Sequence, residues 1–217
     1  MTLFAAKYRV RNENDLVAAL GQPLLAARPL RNEMQAAQAE QLLEHWFSRR
    51  RLLPVVSAAR GEGRTRLALD LARGLAARGV RTLLVDGDLR SPRLHRAFRL
   101  PNRHGLADFL SGREVRLTQC GENLALLAAG RSSADPLATL ASPRLPAFLR
   151  AAATRFGAIV IDTPAARRGP DLQIFAAVAG GALVVARHRN SDARALEGLR
   201  GNLRECSAQV VGILLRG

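Results

Sequence analysis

At 217 residues and 48% hydrophobic content, the chain is long enough for one sizeable α/β core and offers no second one. No stretch approaches the roughly 20 apolar residues that a bilayer-crossing helix needs, and no signal-peptide pattern is visible, so the expectation is a cytoplasmic protein. A net charge of +15 attracts anions, but with only 4% aromatic residues the arginines lack interleaved stacking platforms, which argues against specific nucleic-acid reading and favours a solvated arginine-rich surface, with contact to a membrane surface as the second account.

In chain order, Asn12-Glu13-Asn14-Asp15 reads as a helix start and Gly21-Gln22-Pro23 as a break, followed by Leu24-Leu25 and Arg28-Pro29. A helix then runs through Arg31–Phe47, with Leu42, Leu43, Trp46 and Phe47 on its apolar side. Packing on the sheet is the favoured use of that side, and a subunit contact the sharper alternative. The division expected is a lead-in and helix over 1–50 and a nucleotide-binding domain over 51–217.

Leu52-Leu53-Pro54-Val55-Val56 is a short apolar run of the kind that becomes a buried parallel strand, and Leu67, Leu71 and Leu75 recur at helical spacing. Between them lies Ser57-Ala-Ala-Arg-Gly-Glu-Gly-Arg-Thr65. At such a turn the amides of Gly61, Glu62, Gly63 and Arg64 converge on an anion and the helix end adds its dipole, so phosphate is the expected ligand. Glycine at 61 and 63 supplies positive φ and close approach of the backbone. Thr65 offers a hydroxyl to magnesium. Against the strict pattern G-x-x-x-x-G-K-[ST], Ala58 replaces the first glycine and Arg64 the lysine. Guanidinium is broad, planar and bidentate where ammonium is a compact point charge, so nucleotide binding is expected to survive the exchange and turnover to fall.

Arg81–Asp86 is a second strand, closing on Asp86-Gly-Asp88, with Arg90, Arg93 and His95 beyond; Ala158–Asp162 is a third, closing on Asp162-Thr163-Pro164. Acids at the carboxyl ends of parallel strands face the same crevice as the loop. Thr65, Asp86 and Asp162 are the expected magnesium (Mg2+) ligands, with Asp88 beside them. Arg90 and Arg93 stand either near the phosphates or as solvated bases, and the pattern favours neither. Cys120 and Cys206 lack metal or redox spacing, and the four histidines are scattered.

With these motifs, roughly residues 50–215 resemble the bacterial tyrosine autokinases of exopolysaccharide and capsule synthesis, within the deviant-Walker P-loop ATPases. Ser57–Thr65 is similar to their Walker A loop, Leu83–His95 to their second acidic motif and Ile159–Pro164 to their Walker B strand. Gly105–Gly112, Asn123–Gly130 and Asp135-Pro136 resemble the connecting segments. Arg64 with Arg60 before Gly61 looks most like the chain-length-determinant subgroup, which works beside a separate membrane protein. The spatial-partitioning ATPases carry a signature lysine where this chain has Ala59, so that reading ranks last.

The resemblance implies a P-loop NTPase with a mostly parallel sheet and helices on both faces, binding ATP with Mg2+ through Arg60, Gly61, Glu62, Gly63, Arg64, Thr65 and Arg66. Arg64, Asp86 and Asp88 would carry the chemistry. It implies a membrane polysaccharide co-polymerase or chain-length regulator as partner, residence at the inner membrane through that partner, and homo-oligomers. Departures stand beside these expectations. The tyrosine-rich tail has no counterpart, the one tyrosine being Tyr8. The assembly helix keeps Glu33 but replaces its arginines, and Leu215 follows Leu214 where a base-contacting asparagine is expected. The lead-in begins the chain, so the regulator is expected on a separate polypeptide. Weak or absent kinase activity follows as an expectation, and a pseudokinase regulatory module as its alternative.

Overall fold

The computed structural model describes residues 9–10, 12–20, 24–27, 40–131 and 135–216. Tyr8, the break at 21–23, Arg28-Pro29 and the helix residues 31–39, including Glu33, lie outside them. One eight-stranded sheet is formed by β1 (Leu24–Ala27), β2 (Leu52–Val56), β3 (Thr82–Asp86), β4 (Thr118–Gly121), β5 (Leu124–Leu127), β6 (Ala158–Asp162), β7 (Gly181–Arg187) and β8 (Gln209–Arg216). Its order is β1-β8-β7-β2-β6-β3-β5-β4. Every neighbouring pair is parallel except the β4–β5 hairpin at the edge.

The helices are α1 (Glu13–Leu20), α2 (Arg64–Ala77), α3 (Leu94–Ala97), α4 (Leu106–Leu110), α5 (Pro136–Leu140), α6 (Arg144–Ala153), α7 (Asp171–Ala179) and α8 (Ala193–Glu205). Strand alternation assigns them to the two faces. Leu53, Val55, Leu84, Val160, Leu183 and Val185 point to one side, where Leu67, Leu71 and Leu75 of α2 cover them. Leu83, Val85, Ile159 and Ile161 point to the other, against α4, α6 and Phe175. Val56, Ala182, Val184 and Ile213 meet α1, α7 and α8. These strands are buried on both faces, which is why each reads as a continuous apolar run rather than an alternating one.

The lead-in supplies β1, paired with β8 in the register Leu24↔Ile213. Residues 43–47 form a turn of π-helix before β2, and Leu42, Trp46 and Phe47 are buried there, so the favoured packing is what the structure has. Trp46 donates its indole N–H to Leu52 O at 2.9 Å, lies under Gly181, and carries the Arg50 guanidinium 5.2 Å above its ring. Pro54 sits inside a central strand although it has no N–H to give. It is tolerated because β7 pairs with β2 only from Val55↔Leu183 onward.

Trp46→Ala is expected to destabilise the fold by about 3–5 kcal/mol, since it opens a cavity under β7 and orphans a carbonyl, and Trp46→Phe by about 1–2 kcal/mol. Urea unfolding followed by circular dichroism measures both; a cost below about 1 kcal/mol for the alanine variant would mean that this helix is not part of the core.

Candidate functional site

The carboxyl ends of β2, β3 and β6 lie side by side, since β6 is flanked by β2 and β3. Strand register sets Asp86 directly opposite Asp162. Beyond these ends a cavity of about 400 Å³ is lined by Arg60, Gly61, Gly63, Arg64, Thr65, Arg66, Leu69, Asp88, Ser91, Arg93, Ala97 and Arg168. The loop after β2 thus shares a cavity with Asp88 after β3, as the strand-end argument requires.

Within the loop, Gly61 has φ 82° and Gly63 φ 96°, conformations that strain any L side chain. Their further constraints differ. A Cβ at Gly63 would run into the Arg216 guanidinium, which donates to Gly63 O at 3.2 Å, whereas at Gly61 the space is open and only φ selects glycine. Gly63 starts α2 with no side-chain cap, leaving the first-turn amides directed at the cavity side of the helix end. The Glu62 side chain turns the other way. It is 1% exposed, accepts from Ala59 N at 2.8 Å and from the Ser191 hydroxyl, and holds the loop from behind. Ser191 is held in turn by Val10 N, which donates to its carbonyl at 2.9 Å.

Arg64 lines the cavity with part of its side chain but directs its donors inward. Nε donates to Thr163 O at 2.8 Å, and Nη1 to Ala59 O at 3.0 Å and to Ser57 Oγ. It is 8% exposed, and burial lowers its pKa from the usual guanidinium value against the opposing pull of Asp162, Asp88 and Glu62. Arg66 pairs with Asp70 one turn on, at 2.6 Å. Arg60 is exposed at the cavity rim.

The acids play unequal parts. Asp88 lines the cavity and accepts from Ser91 N at 2.9 Å. Asp86 is fully buried beneath it, where Oδ2 accepts from Arg93 N and Leu94 N at 3.1 and 3.0 Å and so caps α3, while Oδ1 has no partner. Asp162 is 1% exposed and neither of its oxygens makes a hydrogen bond of good geometry. Burial raises its pKa to about 7, against the lowering pull of the nearby Thr65 hydroxyl and Arg64. Asp86 is raised well above the ordinary carboxylate range by burial first and then by Asp162.

Three unpartnered carboxylate oxygens near a threonine hydroxyl and an open cavity suit a hard cation that takes one or two carboxylates and completes its shell with phosphate and water. Among the described residues no group of three or more His, Cys, Asp or Glu side chains converges as an all-protein metal cage would need. Magnesium therefore fits here together with a polyphosphate, through Thr65 and Asp162 with Asp86 behind.

The two open readings at residues 90 and 93 separate. Arg93 lines the cavity, while Arg90 pairs with Asp171 at 2.9 Å. Sequence reasoning missed Ser91 and Arg168, whose side chains meet at 2.6 Å on the cavity wall. Their signal was present, since each follows an aspartate-ending strand within a few residues.

No family model matches the chain. A relative described as a putative tyrosine-protein kinase, CapB of Staphylococcus aureus, is 27% identical over 168 residues, covering 75% of this chain and 73% of CapB. The succinoglycan biosynthesis transport protein ExoP of Rhizobium meliloti is 31% identical over 77% of this chain, which spans only 22% of ExoP. Among solved structures, the kinase domain of the Escherichia coli tyrosine kinase ETK superposes with a TM-score of 0.89 at 20% identity, covering 96% of this chain and 94% of that one. The septum site-determining protein MinD of Pyrococcus horikoshii, complexed with Mg-ADP, matches with a TM-score of 0.64 at 22% identity over 76% and 69%. The last two show the shared P-loop fold; the first two bear out the resemblance read from the motifs.

The buried acids make stability pH-dependent. Between about pH 4 and 7 the folded chain keeps a proton on Asp162 that the unfolded chain has released, so stability falls as pH rises through that window, and the raised pKa of Asp86 acts in the same direction. Asp162→Asn is expected to raise the melting temperature at pH 7.5, without divalent cations, by at least about 2 °C, and to leave it nearly unchanged at pH 4. Scanning fluorimetry at both pH values checks this; a variant that melts below the native protein at pH 7.5 would contradict it.

Proposed function

We propose that this chain, a homologue of the bacterial tyrosine-protein kinases, is an ATP-binding, magnesium-dependent autokinase-like protein that regulates polysaccharide chain length or export, with weakened phosphoryl transfer. The single observation that carries the reading is the cavity that the Gly61–Thr65 loop shares with Asp88 after β3, with Asp86 and Asp162 buried at the adjoining strand ends.

In this reading the amides of Gly61–Thr65, with Arg60 and Arg66 at the rim, hold the phosphates, and the α2 dipole adds to their grip. Thr65 and Asp162, backed by Asp86, would hold magnesium, which when bound supplies charge neutralisation at the phosphoryl oxygens. Asp88, which lines the cavity, would accept the proton of an attacking hydroxyl. Arg64 explains the weakening. Its donors are committed to Thr163 O, Ala59 O and Ser57 Oγ, and using it at the transferring phosphate requires breaking those bonds. Charge stabilisation at that group is worth orders of magnitude in rate, whereas the amide cradle that gives affinity stays intact.

That same commitment of Arg64 favours a second reading, a pseudokinase module whose nucleotide occupancy sets its contact with a membrane polysaccharide co-polymerase. The name of ExoP, a biosynthesis transport protein with room for much more chain, supports such a partner. No described helix is long and apolar enough to cross a membrane. Homo-oligomers and attachment to the inner membrane through the partner complete the proposal.

Arg64→Lys is expected to raise phosphoryl transfer by at least about tenfold while ATP affinity stays within about threefold. Transfer from labelled ATP and calorimetric titration measure the two quantities. Transfer lost in Asp88→Ala favours the enzyme; tight binding without transfer in both the native protein and the Arg64→Lys variant favours the module. Loss of ATP binding on the exchange would refute the role given to the loop.

A further inference from the structure

The arginines around the cavity are not equivalent, and the difference lies in what already neutralises each of them. Arg66 pairs with Asp70 and Arg64 is spent on two carbonyls and a hydroxyl. Arg90 pairs with Asp171 and does not line the cavity. Arg168 is half-buried, lines the cavity and donates to Ser91 Oγ, a neutral oxygen, with no carboxylate paired to it among the described residues. It lies close enough to Arg64 for the two cations to oppose one another, so both gain from an anion between them.

The turn that carries Arg168 is fixed to the phosphate loop itself. Ala166 N donates to Ser57 O at 3.0 Å and Arg167 N to Ala58 O at 3.2 Å, and Gly169, at φ 144°, closes the turn immediately after Arg168. On the other side Ser91 is tied through its amide to Asp88. The guanidinium therefore spans from the turn bonded to the loop's base to the Asp88 turn. A diphosphate can be held by those amides and Thr65. A third phosphate would have Asp88, Ser91, Arg93 and Arg168 among the remaining residues of the lining.

The geometry points to Arg168 as the residue that recognises the terminal phosphate of a nucleoside triphosphate, exchanging its bond to Ser91 Oγ for charge-assisted bonds to that phosphate and so distinguishing triphosphate from diphosphate. This assignment rests on the nucleotide reading above and adds the residue that discriminates. It also gives the cavity a cation for the outermost phosphate while Arg64 stays locked in the loop. The exchange is favourable because a neutral acceptor is replaced by a doubly charged one in a partly buried site. It has a structural corollary: the triphosphate, unlike the diphosphate, would release Ser91 and the Asp88 turn from Arg168.

The test is calorimetric titration of the full chain with ATP and with ADP, both with magnesium. Arg168→Ala is expected to weaken ATP binding by about ten- to a hundredfold, the range for charge-assisted hydrogen bonds, and to leave ADP within about twofold. Arg168→Gln keeps a donor for Ser91 Oγ without the charge and gives the same split, which answers the question should the alanine variant fail to fold. Equal losses for ATP and ADP, or no loss of either, in a protein whose native form binds both would overturn the assignment alone. A native protein that binds neither nucleotide would overturn it together with the nucleotide reading.

Discussion

The side chain of Arg64 is the fastener on which the site depends. It leaves the first residue of α2, passes under its own loop, and ends on Ser57 Oγ, Ala59 O and Thr163 O, so one cation joins the end of β2, the middle of the loop and the strand end at β6. A planar guanidinium with five donors can serve three oxygens at fixed angles; an ammonium on a flexible stem serves them less well and is freer to leave. Replacing lysine by arginine at this position therefore converts a mobile charge into a structural brace. In the proposed reading, binding would then rest on the backbone amides, and the Arg64 charge would be less free to follow a moving phosphoryl group.

Much of the scaffold could be read from the chain because its signals were local. Leu52–Val56 and Ala158–Asp162 occupy the strands their apolar runs specify, and α2 follows the Leu67, Leu71, Leu75 spacing. The strand at Leu124–Leu127 resembled only a connecting segment, since four residues beside a hairpin carry little periodicity. The strand at Gly181–Arg187 was not placed, the last strand, read as ending at Leu214, runs over Gln209–Arg216, and β1 hides in Leu24–Ala27, whose partner lies almost two hundred residues away in β8. Long-range pairing of that kind leaves no short-range trace.

The site was legible in its parts and not in its orientations. Spacing brought Thr65, Asp88 and the glycines to one cavity, but it could not show that Asp86 is turned to cap α3 or that Arg64 points inward. Both outcomes follow from burial. A carboxylate under a strand end takes whichever amides are near, and a buried guanidinium must find oxygens. Arg168 escaped notice because its place on the cavity wall depends on the turn being bonded to the loop at Ser57 and Ala58, a contact between segments more than a hundred residues apart.

The Glu62 carboxylate, gripped by Ala59 N and the Ser191 hydroxyl, has a thermodynamic consequence. Fixing the backbone of a single residue costs about 1–2 kcal/mol in conformational entropy, and a glycine-rich loop has more than its share to lose. Here that ordering is completed during folding, by an acid facing away from the ligand and by Ser191, which is itself anchored to Val10. In the proposed reading an arriving anion would meet a mould that is already set, and its interaction energy would go into affinity rather than into stiffening the loop.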